Sequence, residues 1–144
     1  MERLAYCYTQ KGEPFRITLC GSTRFKDEYA LWNKRLTLAG FIVYSVSGFG
    51  HAGDSFSEEE KERLDQVHLA KIDNSHAIVV LNVGGYIGDS TRREIEHAEA
   101  TGKEVYYLTG PINTVYRLRT GPDGSASLRY RAFSWGDPVN AKAS

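Results

Sequence analysis

The sequence predicts a small doubly wound α/β domain, and three observations carry that prediction. Short β-rich apolar runs alternate with longer segments of helical spacing from about residue 15 to residue 110. The run over residues 76–83, HAIVVLNV, is apolar almost throughout, as a strand covered on both faces has to be. Gly, Ser, Thr and Asp gather directly after the apolar runs, where a parallel sheet collects its ligand-binding loops.

Taken in order, residues 16–19 alternate and end in Cys20-Gly21, a first strand. KDEYALWNKRLTLAG, over 26–40, spreads Tyr29, Leu31, Trp32, Leu36 and Leu38 at near-helical spacing and stops at Gly40. Residues 41–46, FIVYSV, are a second strand, followed over 47–56 by a Gly-rich loop longer than most connections. Ser57 with Glu60 forms a capping-box pattern that opens a helix over 57–75, whose apolar stripe is Leu64, Val67, Leu69 and Ile72. The third strand is 76–83, and GGYIGDS over 84–90 is a turn. STRREIEHAEATGK is a helix stopping at Gly102, and EVYYLTG over 104–110 is a fourth strand. Beyond it, TVYRLRT and SLRYRAFSW alternate around GPDGSA, predicting a β-hairpin appendage or edge pair over 111–144 with disordered final residues. The architecture is Rossmann-like or flavodoxin-like, one domain over 1–144 with its core at about 15–110.

A chain of 144 residues with 41% apolar content can bury one core. Eighteen basic and eighteen acidic residues cancel. A nucleic-acid polymer, which selects for a basic excess, is a poor partner for such a chain, whereas a small anion held by a few fixed groups suits it. Cys7 and Cys20 make neither a disulfide scaffold nor a C-x-x-C pair, and no second Cys/His cluster completes a zinc motif. No run approaches a membrane span and the N-terminal residues lack an apolar leader core, so a cytosolic protein without a membrane partner is expected.

Three Gly/Ser/Thr/Asp-rich loops leave strand ends and should converge on one crevice. Gly21-Ser22-Thr23-Arg24 offers backbone N–H groups at a helix start, hydroxyls and a guanidinium, a set that suits a phosphate. A bare helix cap uses the same residues, and the cluster has neither Walker nor G-x-G-x-x-G spacing. In the helix after the third strand, Glu94 shares a face with Ala98, while Glu96 and Glu99 turn elsewhere. A carboxylate there, partly desolvated beside small residues, is tuned for chemistry; the competing account is an acidic surface paired with Arg92 and Arg93. His68 and His76 are each more simply structural than catalytic, and Cys20 more simply a small buried hydrophobe. Asp65, Asp73 and Asp89 are capping or surface residues until the fold places them.

Together, ITLCGSTRF, HLAKIDNSHAIVVLN and GYIGDSTRREIEHAEATGK resemble, in order, spacing and residue type, the nucleoside 2-deoxyribosyltransferase-like superfamily, nearest to its nucleoside 5′-monophosphate N-glycosidases. The resemblance covers about residues 16–108. It implies a doubly wound fold, usually dimeric or larger, that needs neither metal nor organic cofactor and breaks the N-glycosidic bond of a (deoxy)nucleoside or nucleotide. It implies Glu94 as the nucleophile on C1′, with a glycosyl-enzyme resolved by water or another base. It assigns phosphate binding to Gly21, Ser22 and Arg24, to the adjoining Cys20, and to Gly88, Asp89 and Ser90 of the later loop. His68 stands where many members carry an Asp that orients or protonates the base, and Tyr86 is placed to stack on a base or bond near the nucleophile. Two arginines precede Glu94 where better-known members have small residues. The implied activity is hydrolysis of a nucleoside monophosphate. Base exchange between nucleosides, a non-catalytic nucleotide sensor and NAD cleavage are the alternatives.

Overall fold

The computed structural model describes residues 8–9, 11–50 and 53–108, together with the backbone of strands over 114–120, 126–128 and 133–134. The order is β1 (Arg16–Cys20), α1 (Lys26–Ala39), β2 (Ile42–Tyr44), α2 (Glu58–Asp73), β3 (Ala77–Val80), α3 (Asp89–Ala100), β4 (Glu104–Leu108), β5 (Thr114–Thr120), β6 (Ala126–Leu128) and β7 (Phe133–Ser134). The sheet runs β2-β1-β3-β4-β5-β6, with β7 also paired to β5. The first four strands are mutually parallel, and β5 to β7 continue the sheet in antiparallel sense. The fold is therefore α/β with a four-stranded parallel sheet, a small Rossmann-like arrangement.

Strand alternation divides the core into two layers. Ile17, Leu19, Val79 and Leu81 pack on one face with Tyr29, Trp32 and Leu36 of α1. Cys20, Ile78, Val80 and Val105 face the other way, against Ile72 of α2 and Ile95 and Ala98 of α3. The connection leaves β1 for β2 on one side and returns to β3 on the other, so the carboxyl ends of β1 and β3 flank the point where the winding reverses. That is where open α/β sheets bind ligands.

Several boundaries and faces differ from the sequence-based expectation. β2 is three residues long, with Phe41 buried just before it. Leu38 is 55% exposed, because Tyr29, Trp32 and Leu36 already fill the inner face of α1. In α2 the buried positions are His68 and Ile72, while Val67 is 48% exposed. His68 thus lies within the apolar stripe, one turn from Leu64 and one from Ile72. The third strand gives way after Val80 to a 3-10 turn over Val83–Gly85. The expected hairpin is built into the main sheet through the β4–β5 pair and comprises three strands; its loop over 121–125 and the residues after 134 lie outside the described residues. Among the described residues no helix is long and apolar enough to cross a membrane.

Candidate functional site

Three loops enclose a cavity of about 690 Å³ at the carboxyl ends of β1 and β3. The first leaves β1 at Gly21, where the chain passes close to β3: a Cβ on this residue would sit 3.1 Å from the Cβ and carbonyl oxygen of Leu81. The buried Tyr29 reaches back from α1 and donates to the Gly21 carbonyl at 2.7 Å, fixing the turn from below. The cap position of α1 is Phe25, and no side chain caps that helix. The Ser22 hydroxyl instead accepts from the Arg24 backbone N–H at 3.3 Å and from Arg24 Nε at 3.1 Å. The capping account of Ser22 is thereby set aside.

The second loop follows β2 and is closed by Asp54, whose Oδ2 accepts from Phe49 N at 2.6 Å. Its residues 51 and 52 lie outside the described residues. Gly48 abuts the Phe56 ring, so any side chain there would collide with it. Lys71 Nζ donates to the Ser45 carbonyl at 2.6 Å, tying this loop to α2. The third loop runs from the 3-10 turn to Gly88, which precedes α3; Asn82 Oδ1 accepts from Leu108 N at 2.9 Å and anchors its base to β4.

Where His68 and Glu94 form part of the cavity wall, three side chains from three elements meet. Cys20 ends β1 on the face turned toward α2 and α3, so strand alternation delivers its thiol to the helices. His68 Nε2 lies 3.5 Å from Cys20 Sγ and 3.6 Å from Glu94 Oε1. The Glu94 side chain keeps 18% of its surface exposed and that of His68 only 8%. Both thiol and carboxylate therefore address the same ring nitrogen, while His68 Nδ1 is buried without a partner among the described residues. A ring hydrogen on Nε2 has acceptors to meet, whereas one on Nδ1 would be stranded. Burial pushes the Cys20 thiol well above its ordinary pKa, and the Glu94 charge and hydrogen bond push it further. Tyr29 is likewise raised, by burial first and then by Cys20 and Glu94.

Of the residues expected in the site, Gly21, Ser22, His68, Tyr86, Gly88, Asp89, Ser90 and Glu94 all line the cavity. Cys20 and Arg24 do not. Cys20 is fully buried behind His68 and does not border the cavity, so it is not placed as a phosphate ligand. Arg24 is exposed; its guanidinium lies over the Tyr86 ring, 4.2 Å from the centroid, and Nη2 donates to the Tyr86 hydroxyl at 3.1 Å. One ring face of Tyr86 is thus occupied, which removes it as a stacking surface while Arg24 stays there. Arg92 and Arg93 pair with Asp89 at 3.8 Å and with Ser90 Oγ at 3.2 Å, so the account of Glu94 as part of an arginine-paired surface does not hold. His76 is structural: its Nδ1 accepts from Arg16 N at 2.9 Å.

Asp54, Lys61 and Lys71, passed over in the sequence, also line the cavity, as does Asp65, read there only as a capping or surface residue. A signal was present for two of them, since Asp65 and Lys71 lie three residues either side of His68 and so share its helix face. Comparison of the chain with protein-family models, with curated proteins and with solved structures found no match.

Proposed function

We propose that the protein hydrolyses the N-glycosidic bond of a (deoxy)nucleoside 5′-monophosphate, with Glu94 as the nucleophile. The observation that carries this reading is the setting of Glu94: a carboxylate on a cavity wall, largely withdrawn from water, 3.6 Å from His68 Nε2 and clear of the arginines that precede it. In the first step a Glu94 oxygen bonds to C1′ as the C1′–N bond breaks, and the base departs taking a proton from solvent, which the attacking water returns in the second step. Water then attacks C1′, releasing the sugar phosphate and restoring the carboxylate.

Ser22 and the N-terminal turn of α3, with Gly88 and Ser90, form the polar rim that suits the phosphate; the helix-start N–H groups favour an anion there. Arg24 joins them once its guanidinium swings from Tyr86, 4.2 Å away in the resting arrangement. His68 lines the cavity with little exposed surface and turns Nε2 to Glu94, which favours a role in holding the nucleophile over protonation of the base. The 5′-phosphate is what gives the Ser22 rim its purpose, and a free nucleoside leaves it idle.

Incubation with a panel of ribo- and deoxyribonucleoside monophosphates, following free base by chromatography, tests the proposal. Base release that needs the 5′-phosphate and disappears in Glu94→Ala supports it. Release only when a second base is supplied marks a transferase, and tight nucleotide binding without turnover marks a sensor. Sizing of the same preparation reports whether the active species is a dimer.

A further inference from the structure

Cys20, His68 and Glu94 have a geometry that a proton relay does not need. In a relay, a histidine uses its two nitrogens for two partners, one on each. Here Cys20 Sγ and Glu94 Oε1 both approach Nε2, at 3.5 and 3.6 Å, and one donor atom from each of the three residues lies within 4.8 Å of the others. Three donor atoms this close together, from three different elements, have the spacing that a metal centre needs. A tetrahedral zinc ion with sulfur at about 2.3 Å and nitrogen at about 2.0 Å holds those two atoms roughly 3.5 Å apart, and nitrogen and carboxylate oxygen roughly 3.3 Å apart.

We propose that Cys20, His68 and Glu94 bind one thiophilic divalent cation, of which Zn²⁺ is the type. The donor set is one soft thiolate, one imidazole and one carboxylate, the mixture that zinc and cobalt accept and that calcium and magnesium refuse. As the metal–sulfur bond forms the thiol proton leaves to solvent, and the ring hydrogen of His68 passes from Nε2 to Nδ1, where the described residues offer it no acceptor, a cost that the metal bonds have to outweigh. His68 and Glu94 line the cavity, which supplies both an entry path and access for water or a ligand atom to the fourth position. No local motif announces the site, because its ligands come from β1, α2 and α3, 48 and 26 residues apart in sequence. Resting further on the glycosidase reading, an ion on Glu94 withdraws the nucleophile, so metal occupancy and turnover exclude each other.

Cobalt titration of the metal-stripped protein tests the site without any activity measurement. The expected result is one equivalent of Co²⁺ giving a near-ultraviolet thiolate charge-transfer band and intense visible bands of tetrahedral type, bleached by Zn²⁺. Cys20→Ser should remove the charge-transfer band, Cys7→Ser should leave it, and Glu94→Gln and His68→Asn should each weaken binding at least tenfold. Absence of the bands, or bands that survive Cys20→Ser, overturns the proposal. Should Cys20→Ser not fold, the Glu94→Gln titration decides alone, since that side chain borders the cavity; unchanged affinity there is equally fatal. Base release that persists undiminished with the site filled overturns only the exclusion, and absence of base release with intact cobalt bands overturns only the glycosidase reading.

Discussion

At the scale of single residues, Glu94 and Cys20 present the same problem from opposite sides. Both are ionisable, both touch His68, and the fold buries one completely and the other only in part. For Glu94, the glycosidase reading predicts that Glu94→Gln lowers base release on the order of 10³-fold or more while nucleotide binding persists, measured by turnover beside calorimetric titration. For Cys20, the raised thiol pKa means that the folded chain holds this proton to higher pH than the unfolded chain does. The resulting contribution to stability is complete below the ordinary thiol pKa of about 8.5 and is lost as pH rises above it. Denaturant melts from neutral to alkaline pH should show that decline, and Cys20→Ala should flatten it. Alkylation of Cys20 in the folded chain should be slow at neutral pH and accelerate on unfolding, as resolved by peptide mass spectrometry. The helix face shared with Ala98 left Glu94 open between a tuned carboxylate and an acidic surface, and only the family resemblance singled it out. The sequence hid Cys20, since a thiol at a strand end looks like any small apolar residue until the helices opposite are known.

At the scale of elements, local chemistry was the most legible part of the chain. The Ser57–Glu60 pair forms a complete capping box, with Ser57 Oγ accepting from Glu60 N at 3.1 Å and Glu60 Oε1 accepting from Ser57 N at 2.9 Å. Ser57→Ala should cost about 1 kcal/mol in a urea melt, and because α2 carries His68 it should weaken the site only through that loss. What spacing alone misjudged was the inner face of α2. Counting only apolar residues selects Val67 and passes over His68, yet the helix turns His68 inward and Val67 out. A buried histidine is invisible to a hydrophobic stripe. His76 presents a different case, joining β1 to the start of β3 through the Arg16 N–H. Burial first, and the Arg16 charge next, hold its pKa below the ordinary value, and only an unprotonated Nδ1 accepts that hydrogen bond. The unfolded chain therefore takes up a proton first on acidification, and stability from this contact is lost as pH falls below about 6.5. Melts across the mildly acidic range should show a slope that His76→Gln reduces.

At the scale of the whole molecule, the winding decides what the site contains. Once β1 and β3 are neighbours with α1 on one face and α2 and α3 on the other, the loops after β1, β2 and β3 have to meet, and the alternating strand–helix pattern was sufficient to foresee that. Which side chains would touch across it was not foreseeable, because Cys20, His68 and Glu94 are brought together by register and helix rotation that no spacing in the sequence records. The same logic left the C-terminal segment half read: its alternation announced strands, but its attachment depends on β4 having a free edge. The backbone pairs Val105 with Leu118 and Leu108 with Val115, so β5 covers that edge along most of its length. A chain ended at residue 110 would expose the β4 ladder, an open edge of the kind that invites pairing with another chain. Such a truncation is expected to melt at lower temperature and to associate on sizing. It should nevertheless keep base release per folded molecule, since every residue assigned to the chemistry lies upstream of it. Loss of activity in a truncation that still folds would mean instead that the C-terminal strands supply part of the site, within one molecule or across a dimer; mixing it with full-length Glu94→Gln and watching for restored turnover tells these two apart.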